Sequence, residues 1–165
     1  FRAHGVRYVR NYGDGLDLHW TEVFQTRDRA KVEAFCRAAD IEFAWRGADR
    51  LRTAQVCQAE TAHPVTGETV WFNQAHLFHP SSLPEEIGET LMRTVLEEDW
   101  PRNATLGDGQ PIPREMLAQV RAAYEAEIRT FAWQAGDVLV VDNVLVAHGR
   151  APFRGERRVV VGMTS

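Results

Sequence analysis

At 165 residues the chain has the length of one ordinary domain, and its 44% of hydrophobic residues is enough to bury a core. A net charge of -4 and a pI near 5.9 exclude a bulk attraction to nucleic acid or to an anionic membrane surface, and no stretch approaches the ~20 apolar residues of a membrane span. The two cysteines, Cys36 and Cys57, form no Cys-x-x-Cys pair and read as free buried thiols of a reducing, cytoplasmic setting.

In chain order, Val6 to Tyr12 is β-branched and aromatic and ends at Gly13-Asp14-Gly15, which predicts a strand and a turn. Trp20 to Phe24 is short and amphipathic. Thr26 or Asp28 then caps a helix from about Arg29 to Ala39, with Val32, Phe35 and Cys36 on one face. Phe43 to Trp45 and Leu51 to Gln58 read as strands around the turn at Arg46 to Asp49. His63 to Glu68 is a hairpin-type turn before the strand Thr69 to Asn73, and Gln74 to Pro80 reads as a loop. Helices are expected from Ser82 or Pro84 to about Glu97, carrying Ile87, Leu91 and Val95, and from Pro113 to about Glu127, carrying Met116, Leu117, Val120 and Tyr124. Ile128 to Trp133, Val138 to Val146 and Val159 to Met163 read as strands.

Strands at both ends and helices between them predict a mainly β chain, an antiparallel scaffold with helical insertions. A doubly wound parallel sheet would need a third glycine opening a long helix after the first strand, and Leu16-Asp17-Leu18 stands there instead.

Six histidines are candidates for chemistry: His4, His19, His63, His76, His79 and His148. None has Asp or Glu two positions later, the pairing that supplies two ligands of a facial two-His, one-carboxylate iron site. Asp17-Leu18-His19 has the reverse order, and Glu60 to His63 lies on a turn, so both read as solvated turn chemistry. His76 and His79 could form half of a zinc site, but no Cys pair or third His supports it. No Gly-x-Ser-x-Gly elbow occurs. His148 follows a long apolar run interrupted by Asp142-Asn143, and its spacing fits a satisfied buried histidine as well as a metal ligand. Arg158 opens an apolar run, where a guanidinium calls for an anion, either a bidentate carboxylate or a surface partner such as Glu156 or Asp142.

Together Ala135-Gly136-Asp137 to Asp142-Asn143, Ala147-His148-Gly149-Arg150-Ala151-Pro152-Phe153 and Gly155-Glu156-Arg157-Arg158 resemble the C-terminal signature of the taurine dioxygenase-like (TauD/TfdA) iron(II)/2-oxoglutarate oxygenases, in the branch associated with natural products. The resemblance extends through Trp71-Phe72-Asn73-Gln74-Ala75-His76 and back to Gly5 to Tyr12. It implies a double-stranded β-helix (jelly roll), with residues 1–165 as one oxygenase domain lacking its N-terminal part. It also implies Fe(2+), 2-oxoglutarate and O2 as cofactor and cosubstrates. His148 would be the distal iron ligand and Arg158, or Arg157 in its place, the oxoglutarate-binding arginine. Asn73 and His76 would lie on a loop lining the substrate.

The implied reaction is hydroxylation of an unactivated C–H bond in a small amino-acid-like substrate, free or carrier-bound, with halogenating relatives as a variant. Sulfonate-binding members carry a further Arg four residues past the oxoglutarate Arg, where this chain has Gly162. The family's His-x-Asp/Glu pair falls upstream of Phe1, so the isolated chain is expected to bind iron poorly. The alternative is a non-catalytic jelly-roll scaffold or binding domain. Neither nucleic acid nor membrane is expected as a partner, and the oligomeric state is open.

Overall fold

Alternation in Val6–Tyr12 sends Val6, Tyr8 and Tyr12 to one face, and this strand becomes one of the two inner members of the main sheet. The computed structural model describes residues 1–13, 17–156, 158 and 160–162. The elements are β1 (Val6–Tyr12), α1 (Trp20–Val23), α2 (Arg29–Ala38), β2 (Glu42–Arg46), β3 (Arg50–Cys57), β4 (Glu60–Ala62), β5 (Thr69–Trp71), α3 (Ala75–Phe78), α4 (Glu85–Thr94), β6 (Arg102–Leu106) and α5 (Arg114–Glu127).

Four strands form an antiparallel sheet in the order β2-β3-β1-β6, and β4 and β5 form a separate hairpin. These antiparallel sheets with helical insertions fit the mainly β jelly-roll class. Register sets Tyr8 opposite Ala104 and Tyr12 opposite Leu51. On that face lie two apolar clusters. One joins Val6, Ala59, Ala75, Ala104, Ile112 and Leu117; the other joins Tyr12, Trp20, Val32, Cys36 and Leu51. On the opposite face Val9, Ala54 and Asn103, in register across three strands, are also buried.

Asp28 caps α2, accepting the N–H of Ala30 at 2.9 Å, and Val32 and Cys36 face inward. Phe35, expected on the same face, is 55% exposed and lies beside Phe24 at the margin of its cluster. Ile87 of α4 is likewise exposed, and the buried position of that helix is Gly88, where an added Cβ would press on the Pro80 carbonyl. Gly107 follows β6 because its backbone passes against the His4 carbonyl, leaving no room for a side chain. Both cysteines are free, Cys36 buried and Cys57 half-buried.

The largest departure from expectation is C-terminal. Ile128 to Trp133 and Val138 to Val146 carry no strand, and residues 158 and 160–162 are also irregular. Val138, Val140 and Val160 are at least 80% exposed. Apolar alternation makes a strand only when a neighbouring backbone completes the ladder, and no described strand offers one there. Arg157, Val159 and Met163 lie outside the described residues, as do Asp14 and Gly15 of the predicted turn.

Candidate functional site

Arg10 and Arg102 stand directly opposite each other on β1 and β6, an arrangement that like charges disfavour. Asp17 resolves it. Its carboxylate accepts two hydrogen bonds from each guanidinium, at 2.8 and 3.2 Å from Arg10 and at 2.8 Å twice from Arg102. The Asp17 side chain is 6% exposed, so the sequence-based reading of it as solvated turn chemistry is corrected. Burial by itself would raise its pKa, but the bonds from Arg102, Arg10 and the Leu18 N–H outweigh that and hold it far below the usual carboxylate range. A half-open cleft of about 200 Å³ beside this triad, lined by Leu77, His79, Leu83 and Leu91 among others, is smaller than an ordinary ligand pocket.

The Trp-Phe-Asn-Gln-Ala-His stretch leads into α3, so His76 is on a helix and not on the expected loop. Asn73 is committed to the backbone: its Nδ2 donates to the Ala59 carbonyl at 2.8 Å and its Oδ1 accepts from the Ala75 N–H at 3.1 Å. The Tyr8 hydroxyl accepts from the Gln74 N–H at 2.8 Å, tying the same turn to β1. His76 is 5% exposed and stacks on Tyr124 of α5 at 4.4 Å between ring centroids. Its Nδ1 is buried with no hydrogen-bond partner among the described residues. Arg121 of α5 donates to the His76 carbonyl and to the Ser81 hydroxyl, fixing α5 on α3. His79 turns its Nδ1 to the Ser81 N–H at 3.1 Å, so His76 and His79 form no shared metal-binding pair among the described residues.

Burial, and then the Arg121 charge, push the pKa of both His76 and His79 below the ordinary imidazole value. The unfolded chain binds these protons more readily, so stability is complete above about pH 6.5 and is lost as pH falls from there toward the folded-state values. The urea midpoint should be lower at about pH 5 than at about pH 7.5. His76→Phe should flatten that dependence; an unchanged slope would contradict the assignment to His76.

His63 is the other correction. It is buried rather than solvated, and its Nε2 lies 2.9 Å from Asp142 Oδ2. The hydrogen bond from His63, followed by that of the Val144 N–H, holds the Asp142 carboxyl below the usual range.

His148 and Arg158 are both exposed in irregular chain, and no described hydrogen bond or ion pair joins them to each other, to His76 or to Asn73. The surface alternative for Arg158, a pair with Glu156 or Asp142, is not formed among the described residues. Arg157, the alternative oxoglutarate-binding arginine, lies outside them.

Residues 2–164 match the family described as "Taurine catabolism dioxygenase TauD, TfdA family". The chain belongs to the TauD/TfdA family. It is 42% identical over 163 residues to "Dapdiamide synthesis protein DdaC" of Enterobacter agglomerans, a match covering 99% of this chain and 50% of that protein. It is 31% identical over 170 residues to a "Clavaminate synthase-like protein" of Arabidopsis thaliana, covering 97% of this chain and 47% of that protein. The chain thus spans about half the length of the curated relatives it matches.

The TauD/TfdA family is one of dioxygenases and implies Fe(2+), 2-oxoglutarate and O2 in general. The donor set does not fit an iron ion unaided. Among the described residues no three His, Cys, Asp or Glu side chains come together to hold a metal, and a lone imidazole such as that of His148 can offer at most one donor where the facial site needs three. No helix of the described residues is long and apolar enough to cross a membrane.

Proposed function

We propose that this chain is the C-terminal portion, folded as one domain unit, of an iron(II)/2-oxoglutarate-dependent dioxygenase of the natural-product type. Its reaction is hydroxylation of an unactivated C–H bond of a small amino-acid-like substrate, free or tethered to a carrier protein. The observation that carries this reading is the family match over residues 2–164, which includes the His148-Gly149-Arg150 segment and Arg158. The DdaC relative, named for dapdiamide synthesis, supports the natural-product setting.

In this reading His148 contributes one nitrogen donor to the iron, and the remaining donors come from outside these residues. Arg158 binds the remote carboxylate of 2-oxoglutarate as a bidentate, charge-assisted pair, with Arg157 as its alternative. His76 lines the substrate space, supported by its buried Nδ1 without a partner, which awaits a hydrogen-bonding group. Asn73 lies at the same turn and holds α3 in place for it.

In the full-length protein carrying this chain, Arg158→Ala should raise KM for 2-oxoglutarate by about 10- to 100-fold, the worth of one charge-assisted pair. Arg158→Lys should recover only part of it, because an ammonium cannot make the paired contact. A KM unchanged in Arg158→Ala and raised in Arg157→Ala would move the role to Arg157; no change in either would overturn it.

A second reading, a non-catalytic jelly-roll scaffold, draws on the exposure of His148 and Arg158 and on the missing metal-binding group among the described residues. It predicts no 2-oxoglutarate turnover by the full-length protein in the presence of Fe(2+).

A further inference from the structure

Among the described residues no strand holds the segment that ends in His148, yet a polar contact binds it to the body of the fold. His63 is 5% exposed at the β4–β5 turn, and its Nδ1 accepts the N–H groups of Val65 and Thr66 at 3.3 and 3.0 Å. Those two donors fix the tautomer: the ring proton sits on Nε2, which donates to Asp142 Oδ2 at 2.9 Å. The other carboxylate oxygen of Asp142 accepts the Val144 N–H at 2.9 Å, and its carbonyl accepts the N–H groups of Leu145 and Val146 at 3.1 and 3.0 Å. Asp142 therefore does two things at once. It closes the turn over residues 142–146, and it fastens that turn to a buried histidine 79 positions earlier in the chain. Two residues past that turn stands His148.

We propose that His63 and Asp142 form a latch that sets the path of the chain into His148, making both of them positioning residues. Its catalytic use rests on the reading of His148 as a metal donor given above. The arrangement has the form of a support pair, in which a polar group away from the reacting atoms fixes the orientation of one that touches them. The chemistry of each partner is needed. The ring must accept on Nδ1 and donate from Nε2, and the carboxylate must accept on both oxygens.

The test is amide hydrogen exchange on the full-length protein carrying His63→Phe, Asp142→Ala or both. Exchange at Leu145 and Val146 should accelerate about tenfold in His63→Phe, the worth of one net hydrogen bond; Asp142→Ala, which also removes the acceptor of the Val144 N–H, should accelerate exchange at least as much, and the double variant no more than Asp142→Ala alone. Amides of β1 and β3 should stay as protected as in the parent. His63→Gln, which keeps one donor and one acceptor, should retain more protection than His63→Phe. Unchanged exchange at 144–146, or acceleration spread evenly through the sheet, overturns the latch, the second because it marks a general stabiliser. In 2-oxoglutarate turnover the same variants should lower kcat with little change in KM. Local loosening with unaltered kcat would uphold the contact but overturn its positioning of His148, whose own role His148→Ala tests separately.

Discussion

Asp17→Ala should destabilise the protein by about 3 kcal/mol, the low end for removing one partner of a buried charge pair. The loss leaves Arg10 and Arg102 facing each other across β1 and β6 with no anion between them. Arg102 is 44% exposed and can turn toward water, which keeps the cost at that low end; Arg10, 19% exposed, cannot do so as readily. Asp17→Asn keeps the shape and some hydrogen bonds but no charge, so it should lie between the parent and Asp17→Ala. Because the folded-state pKa of Asp17 is lowered, its contribution is complete above the unfolded carboxyl value near 4 and is lost as pH falls below it. That window is distinct from the one assigned to His76 and His79, which opens near pH 6.5. Urea unfolding at neutral pH measures the first effect, and a midpoint equal to the parent's in Asp17→Ala would contradict it.

What could be read from residue order alone was local. The strands β1, β2 and β3, the Asp28-capped α2, the turn after β4 and the long α5 all follow from side-chain period and capping within a few residues. Asp17 and His63 were misread because their surroundings come from afar: Arg102 lies 85 positions from Asp17, and Asp142 lies 79 from His63. A polar residue in a turn looks solvated until the fold brings its partner. The strand β6, Arg-Asn-Ala-Thr-Leu, has only Ala104 and Leu106 as apolar residues to announce it and is defined by pairing with β1. The opposite error occurred at Val138 to Val146, where strong strand-forming residues remain irregular because composition cannot supply a neighbouring ladder.

The candidate site divides in the same way. The family signature around His148 and Arg158 was legible as a motif, because a motif is a local string. Its support was not: the orphaned Nδ1 of His76 and the His63–Asp142 bond exist only once α5 covers α3 and the C-terminal segment meets the hairpin turn. Reading each histidine with its nearest carboxylate in sequence missed the one that Asp142 engages.

His148 carries the central claim, since a TauD/TfdA oxygenase needs every one of its few protein ligands. On the proposed reading His148→Ala removes one of three donors and should lower iron affinity and turnover by more than the ~10- to 100-fold typical of losing a supporting group beyond the ligands. An exposed side chain with no described partner can be replaced at little cost to the fold, so a loss of activity would not stem from unfolding. The decisive measurement is Fe(2+)-dependent conversion of 2-oxoglutarate to succinate by the full-length protein carrying this chain, parent against His148→Ala, with circular dichroism confirming equal folding. The account predicts turnover in the parent and a fall to background in the variant. Parent-level turnover in His148→Ala would contradict it.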